Sequence, residues 1–188
     1  FDLELIAYYF GGVSLVDSLS YREQISDVSY GRNHQSEIWG YYGQPTPGYS
    51  NNTHQLQIPL MSGDVVSNLT SGIYDEDQTI TMTTNNSEGI IYYTTDGSKP
   101  VLTSNIYTSP IFTGGNTIIR ARTIEPNKLP GKISTFTYLI SSQNSIPTVS
   151  LIVEPDFLWD DNIGIYSNEY KQREIPITLH YIKNGFNT

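Results

Sequence analysis

The sequence predicts an all-β chain built of β-sandwich modules in tandem, and three observations carry that expectation. Tyrosine occurs 15 times against 6 phenylalanines and 2 tryptophans, and with abundant Thr, Ser, Asn and Ile this favours pleated, half-exposed surfaces. Strong helix formers are scarce: Lys and Arg together number only 10 and alanine is rare. Runs of alternating apolar and polar residues recur with turn signals about every ten residues. Strands that short cannot bury both faces alone, so two sheets must pack together.

The elements follow in order. Leu3, Leu5 and Ala7 alternate with polar neighbours, Gly11-Gly12 breaks the run, and Val13 to Leu19 resumes it. A polar stretch from Arg22 to Ser36 leads to the short aromatic run Ile38-Trp39-Gly40-Tyr41-Tyr42. Gln44-Pro45-Thr46-Pro47-Gly48 ends regular structure, and Ser50 to Thr53 continues as linker, which places a boundary near Asn52. A second module spans 55–141. In it Thr79 to Thr84 alternates with Ile80 and Met82 inward, Thr117 to Ile124 with Ile119 and Ala121 inward and Arg120 and Arg122 toward water (or the reverse register), and Phe136, Tyr138 and Ile140 share a face. Between them Ile90 to Thr95 runs into Asp96-Gly97, which reads as a two-residue hairpin turn, with Pro100 preventing an immediate return to a central ladder. A third segment, 146–188, holds a strand at Val149 to Val153, a loop from Glu154 to Asp161 and a strand at Ile175 to Ile182. Alone it is too small to be stable.

Charge and composition exclude several functions. The net charge is −9, divided as −4 over 1–52, −2 over 53–141 and −3 over 142–188. No segment is basic, which disfavours nucleic acid and anionic membrane surfaces. Cysteine is absent, which removes disulfides and thiolate metal sites. No apolar run approaches the roughly 20 residues of a membrane helix. Phe1 opens directly on a strand pattern, so the start reads as a mature or trimmed end.

Three stretches resemble known families. Gly72-Ile73-Tyr74, Ile80-Thr81-Met82, Ile91 to Pro100, Tyr107 with Pro110-Ile111, Ile118 to Ala121 and Thr137-Tyr138 make residues 72–140 similar to the chitobiase/β-hexosaminidase C-terminal type domain, also called a fibronectin type III-associated domain. Leu15 to Tyr21, Asp27 to Arg32, Trp39 and Pro45 to Asn51 resemble the last part of a bacterial lamin-tail domain. Ile146 to Leu151, Asp156 to Asp160 and Gly164-Ile165-Tyr166 look like the start of a CotH-type region. These resemblances imply tandem immunoglobulin/fibronectin-like sandwiches: 1–52 the end of one, 55–141 a complete one, 146–188 the first strands of a third β region. They also imply a large exported bacterial protein, secreted or at the cell surface. A kinase domain would lie outside this chain, since nothing here matches a kinase's phosphate- or metal-binding residues, and so would a hydrolase, since the hexosaminidase resemblance is to a non-catalytic appendage.

The residues themselves offer little chemistry. His34, His54 and His180 fall in a loop, a linker and a strand, with no nucleophile elbow near them, and none shares zinc-ligand spacing with another. Asp75-Glu76-Asp77 and Asp160-Asp161 read as solvated turn acids rather than a glycosidase pair. No cofactor is expected; the one metal the sequence suggests is a structural calcium on Asp156, Asp160 and Asp161 around Trp159. Trp39, Tyr41, Tyr42 and Tyr49 surround a Gly/Pro loop and could form a sugar-stacking platform. Core and edge packing of these rings is the preferred reading. Three Asn-X-Ser/Thr sequons, at Asn51, Asn68 and Asn85, are ascribed to chance. The expected role is a non-catalytic spacer or scaffold whose partners are other domains of the same polypeptide. The rivals are a module that binds polysaccharide or a surface protein, and the accessory region of a CotH-like kinase or glycan-processing enzyme.

Overall fold

The computed structural model describes residues 3–8, 15–21, 24–25, 27–141 and 146–183. They form two compact units, Phe1–Leu60 and Met61–Thr188, and are nearly all strand.

In the first unit β1 (Leu3–Tyr8) pairs antiparallel with β2 (Leu15–Tyr21), with a register shift between Ala7 and Tyr8; the Gly11-Gly12 break lies outside the described residues. A second sheet has the order β3 (Ser29–Arg32), β4 (Trp39–Tyr42), β5 (Gln55–Leu56), all antiparallel. β3 lies inside the stretch read as polar from the sequence. Asn33 makes it a hairpin: its side chain accepts from the amides of Gln35 and Ser36, and its own amide donates to Ile38. Gln55 is held to β4 through a side-chain bond from Nε2 to the Ile38 carbonyl, 2.7 Å. The first unit therefore runs through Leu60, beyond the break placed near Asn52.

The second unit contains a β-sandwich. Its larger sheet has the order β11 (Asn105–Ile106), β10 (Ile90–Thr94), β13 (Thr117–Ile124), β14 (Ser134–Ile140), β7 (Gly72–Tyr74), antiparallel except for the parallel pairing of β14 with β7. The opposing layer is two small sheets, β6 (Val65–Ser67) with β9 (Met82–Thr84) and β12 (Ile111–Phe112) with β8 (Thr79–Ile80). Val65, Ile80 and Met82 from this layer meet Ile91, Ile119, Ala121 and Tyr138 of the larger sheet in one core. Each fully buried aliphatic side chain there contributes about 1.5–3 kcal/mol. The run Thr79 to Thr84 keeps its predicted inward residues, but it changes partner at Thr81. Asn68 fills the gap: its side chain accepts from the Thr81 amide and donates to the Thr79 carbonyl.

Three expectations are corrected. Asp96-Gly97 is not a two-residue hairpin turn, because β10 and β11 are joined by the ten residues from Thr95 to Ser104. A type I′ turn needs positive φ at both central residues, and only Gly97 has it, at 83°. Asp96 instead accepts from the amide and hydroxyl of Ser98; these bonds hold its carboxyl below the ordinary carboxylate range. Second, Arg120 and Arg122 do not reach into water. Arg122 is buried and donates from Nε and Nη2 to the Gly131 carbonyl, while Arg120 donates to the Gly97 carbonyl at 2.7 Å. Third, the stretch after Glu154 is not all loop: α1 (Pro155–Trp159) makes a helical turn.

The second face of the larger sheet is covered by the third segment, whose strands β15 (Thr148–Ile152) and β16 (Thr178–Ile182) form an antiparallel pair; β16 begins later than the predicted Ile175. Ile152 and Ile182 are buried. His180 Nδ1 lies 2.9 Å from the Thr137 hydroxyl, and Glu154 faces Arg120 at 3.7 Å. A side chain at Gly97 would meet the Val153 carbonyl at 3.0 Å. The other face of the pair leaves Val149, Leu151, Leu179 and Tyr181 exposed.

Candidate functional site

Period-two alternation along β4 divides its aromatic residues between the two sides of the sheet. Trp39 and Tyr41 share one side with Tyr30 of β3, whose ring stacks on Trp39 (centroids 5.6 Å, 25° between planes) and tilts against Tyr41 (5.0 Å, 52°). All three are half-buried. Tyr42 points the other way and is 1% exposed, with its hydroxyl buried and unpartnered, so it can touch no ligand. Tyr49 stands 86% exposed in the following loop. Of the four residues singled out from the sequence, two therefore share a face. Tyr30 completes that face, and the cross-strand register of β3 with β4 was needed to find it.

The acidic residues are not gathered. Asp160 Oδ1 accepts from the amides of Asn162 and Ile163 at 2.8 and 3.0 Å, which depresses its pKa and satisfies the carboxylate locally. Asp156 lies in the first turn of α1 and Asp161 is exposed. Among the described residues no group of three or more His, Cys, Asp or Glu side chains could hold a metal ion.

His34 and His54 are exposed. His180 touches the Thr137 hydroxyl, but Thr137 is wholly buried, so this contact packs the third segment and exposes nothing to substrate. Burial pushes the His180 imidazole down in pKa. Glu125 is a buried carboxylate, 4% exposed. Lys128 Nζ at 2.5 Å, the Gly63 amide at 2.7 Å and the Asn86 side chain satisfy it, holding its pKa low. It ties the segment before β6 to the loop after β13. A shallow open depression of about 400 Å³ lies between β9 and β10, lined by Met82, Thr84, Asn86, Ile91 and Tyr107. It has no titratable side chain aimed into it beyond the tyrosine.

Residues 69–135 match the family model of the Chitobiase/beta-hexosaminidase C-terminal domain. The matched stretch is the sandwich from just before β7 into β14. A 65-residue segment is also 38% identical to an endoglucanase of Clostridium saccharobutylicum, taking in 35% of this chain. The match spans 13% of that relative's length. No solved structure matches the chain. Within the matched domain the Tyr92-Tyr93-Thr94-Thr95-Asp96-Gly97 run is a structural device. Tyr93 packs on the core, Tyr92 lies buried opposite Arg122, and Gly97 gives its carbonyl to Arg120.

Sequence reasoning missed one aromatic pair. Trp159, at the end of α1, stacks on Tyr166 with centroids 4.8 Å apart and 25° between planes, and the two remain 63% and 62% exposed. Six residues outside regular structure lie between them, so neither strand nor helix periodicity pairs them.

Proposed function

We propose that this chain is a non-catalytic spacer segment of a large exported bacterial protein that works on carbohydrate. One observation carries the reading: the third segment is seated on the sandwich through Gly97, Arg120 and Thr137, so that Met61–Thr188 is one compact unit. A compact body of that size suits holding other domains apart. The match of residues 69–135 to a C-terminal domain of glycan-cleaving enzymes, and the partial likeness to an endoglucanase, supply the carbohydrate context. The lamin-tail-like and CotH-like residues on either side support a parent of many modules at the cell surface or secreted. Backbone ¹⁵N relaxation of the purified chain is the test. The spacer reading expects one rotational correlation time for residues 61–141 and 146–183, with no turnover of chitin oligosaccharides or soluble cellulose. Independent tumbling of the third segment, or hydrolysis that follows the protein through purification, would overturn it.

A second reading, a polysaccharide-binding accessory module, is favoured by the half-buried Tyr30–Trp39–Tyr41 face with the exposed Tyr49 nearby in sequence. It expects Trp39→Ala to abolish retention on insoluble polysaccharide.

A further inference from the structure

The loop after α1 is built to hold Trp159 and Tyr166 in the open. Asn168 is 3% exposed, and its side-chain amide donates to the carbonyls of Asp161 and Gly164 at 3.0 Å each and of Asp160 at 3.4 Å. The amides of Ile165 and Tyr166 donate to the carbonyls of Phe157 and Leu158, which sets Tyr166 beside the helical turn, and the Ser167 hydroxyl bonds the Trp159 carbonyl at 2.8 Å. Gly164 passes so close that a side chain there would lie 2.6 Å from the backbone of Asp160. A buried amide and a sterically required glycine thus fix a loop whose largest side chains face solvent.

Leaving two large rings in water forgoes the burial energy they would gain in a core, and fixing them in advance removes the ordering cost of binding. From this geometry we infer that Trp159 and Tyr166 form a stacking site for the sugar rings of a neutral polysaccharide. The C–H face of a pyranose complements the negative face of an aromatic ring, and the exposed Asp161 and Asn162, close to Trp159 in sequence, carry acceptors and a donor suited to hydroxyls. A nucleobase would also stack, but the acids at 156, 160 and 161 and a net charge of −9 repel its phosphates. The site goes beyond the spacer reading and does not rest on it. A spacer that also grips its polymer places the attached domains at the substrate.

The test is retention of the whole chain on microcrystalline cellulose, chitin and insoluble xylan. Affinity for at least one of them should fall about tenfold or more in Trp159→Ala and in Tyr166→Ala and be kept in Tyr166→Phe, with circular dichroism confirming the fold of each variant. In a Trp39→Phe background, Trp159 emission should shift to the blue on adding the soluble oligosaccharide of the retained polymer. Absence of retention on all three polymers, or retention unchanged in Trp159→Ala but lost in Trp39→Ala, would overturn the inference. The relaxation measurement decides the spacer reading separately.

Discussion

Gly97→Ala measures how firmly the third segment sits on the sandwich. Gly97 adopts φ 83°, and a Cβ there would lie 3.0 Å from the Val153 carbonyl. Gly48 is a matched reference, with φ 79° and nothing within 4 Å of its would-be Cβ. Left-handed backbone costs a non-glycine residue about 1–2 kcal/mol, which both substitutions share. Only Gly97→Ala must also push Val153 back by a few tenths of an ångström, adding about 1–3 kcal/mol of overpacking. The expected losses are therefore about 1–2 kcal/mol at Gly48 and about 2–5 kcal/mol at Gly97. The chain has 2 tryptophans, Trp39 in the first unit and Trp159 in the second, so urea unfolding followed by fluorescence in Trp39→Phe or Trp159→Phe backgrounds reads each unit separately. Gly97→Ala should lower the Trp159 transition and leave the Trp39 transition in place. Equal costs at the two glycines would refute the seating of β15 and its following residues on the turn.

Other outcomes follow from the same contacts. Ile119→Ala, at the centre of the core with no exposed surface, should cost about 2–5 kcal/mol in the same unfolding experiment. Tyr138→Phe removes the hydroxyl that meets Ser67 Oγ at 2.7 Å and the Leu69 carbonyl at 3.2 Å and should cost about 1–2 kcal/mol. Burial holds His180 below its ordinary pKa of about 6.5, so the unfolded chain binds the proton more readily. Its contribution is complete above about pH 6.5 and is lost as pH falls through the lower folded value. The second unit should unfold more easily at pH 5 than at pH 8, and His180→Asn should flatten that part of the profile. Glu154→Gln should cost under about 1 kcal/mol, because its 3.7 Å pairing with Arg120 is partly open to solvent; a larger loss would make the ion pair, not Gly97, the main tether.

The sandwich was legible because its inward residues obey a local rule. Ile80 with Met82, and Ile119 with Ala121, alternate with polar neighbours, and alternation alone places them inside. The same rule failed for Arg120 and Arg122. It assumes that the second face of a sheet meets water, whereas here a pair of strands from far along the chain covers that face. Asp96-Gly97 misled for a related reason. The dipeptide permits a two-residue hairpin, but Ser98 captures the Asp96 carboxylate and Pro100 carries the chain away, so the reversal takes ten residues. Tyr41 and Tyr42 divided as an aromatic pair on a strand should. Trp159 and Tyr166 could not be paired from sequence, because backbone bonds between α1 and the loop bring them together and no periodicity encodes those.

Parallel pairing in the second unit bears on how it would behave under tension. Met61 bridges Leu129, and Gly72, Ile73 and Tyr74 pair in parallel with Tyr138, Leu139 and Ile140. Segments from early and late in the sandwich are thus laced side by side, running the same way. A pull that draws the preceding and following chain apart drags these two segments lengthwise past each other. All the bonds between them then share the load and must fail together, whereas an antiparallel pair pulled from one end opens a bond at a time. Thr137, whose amide is held by the Ser71 hydroxyl, and Ser141, whose amide donates to the Tyr74 carbonyl, add rungs at the same seam. Under such a pull this seam resists in shear rather than by peeling.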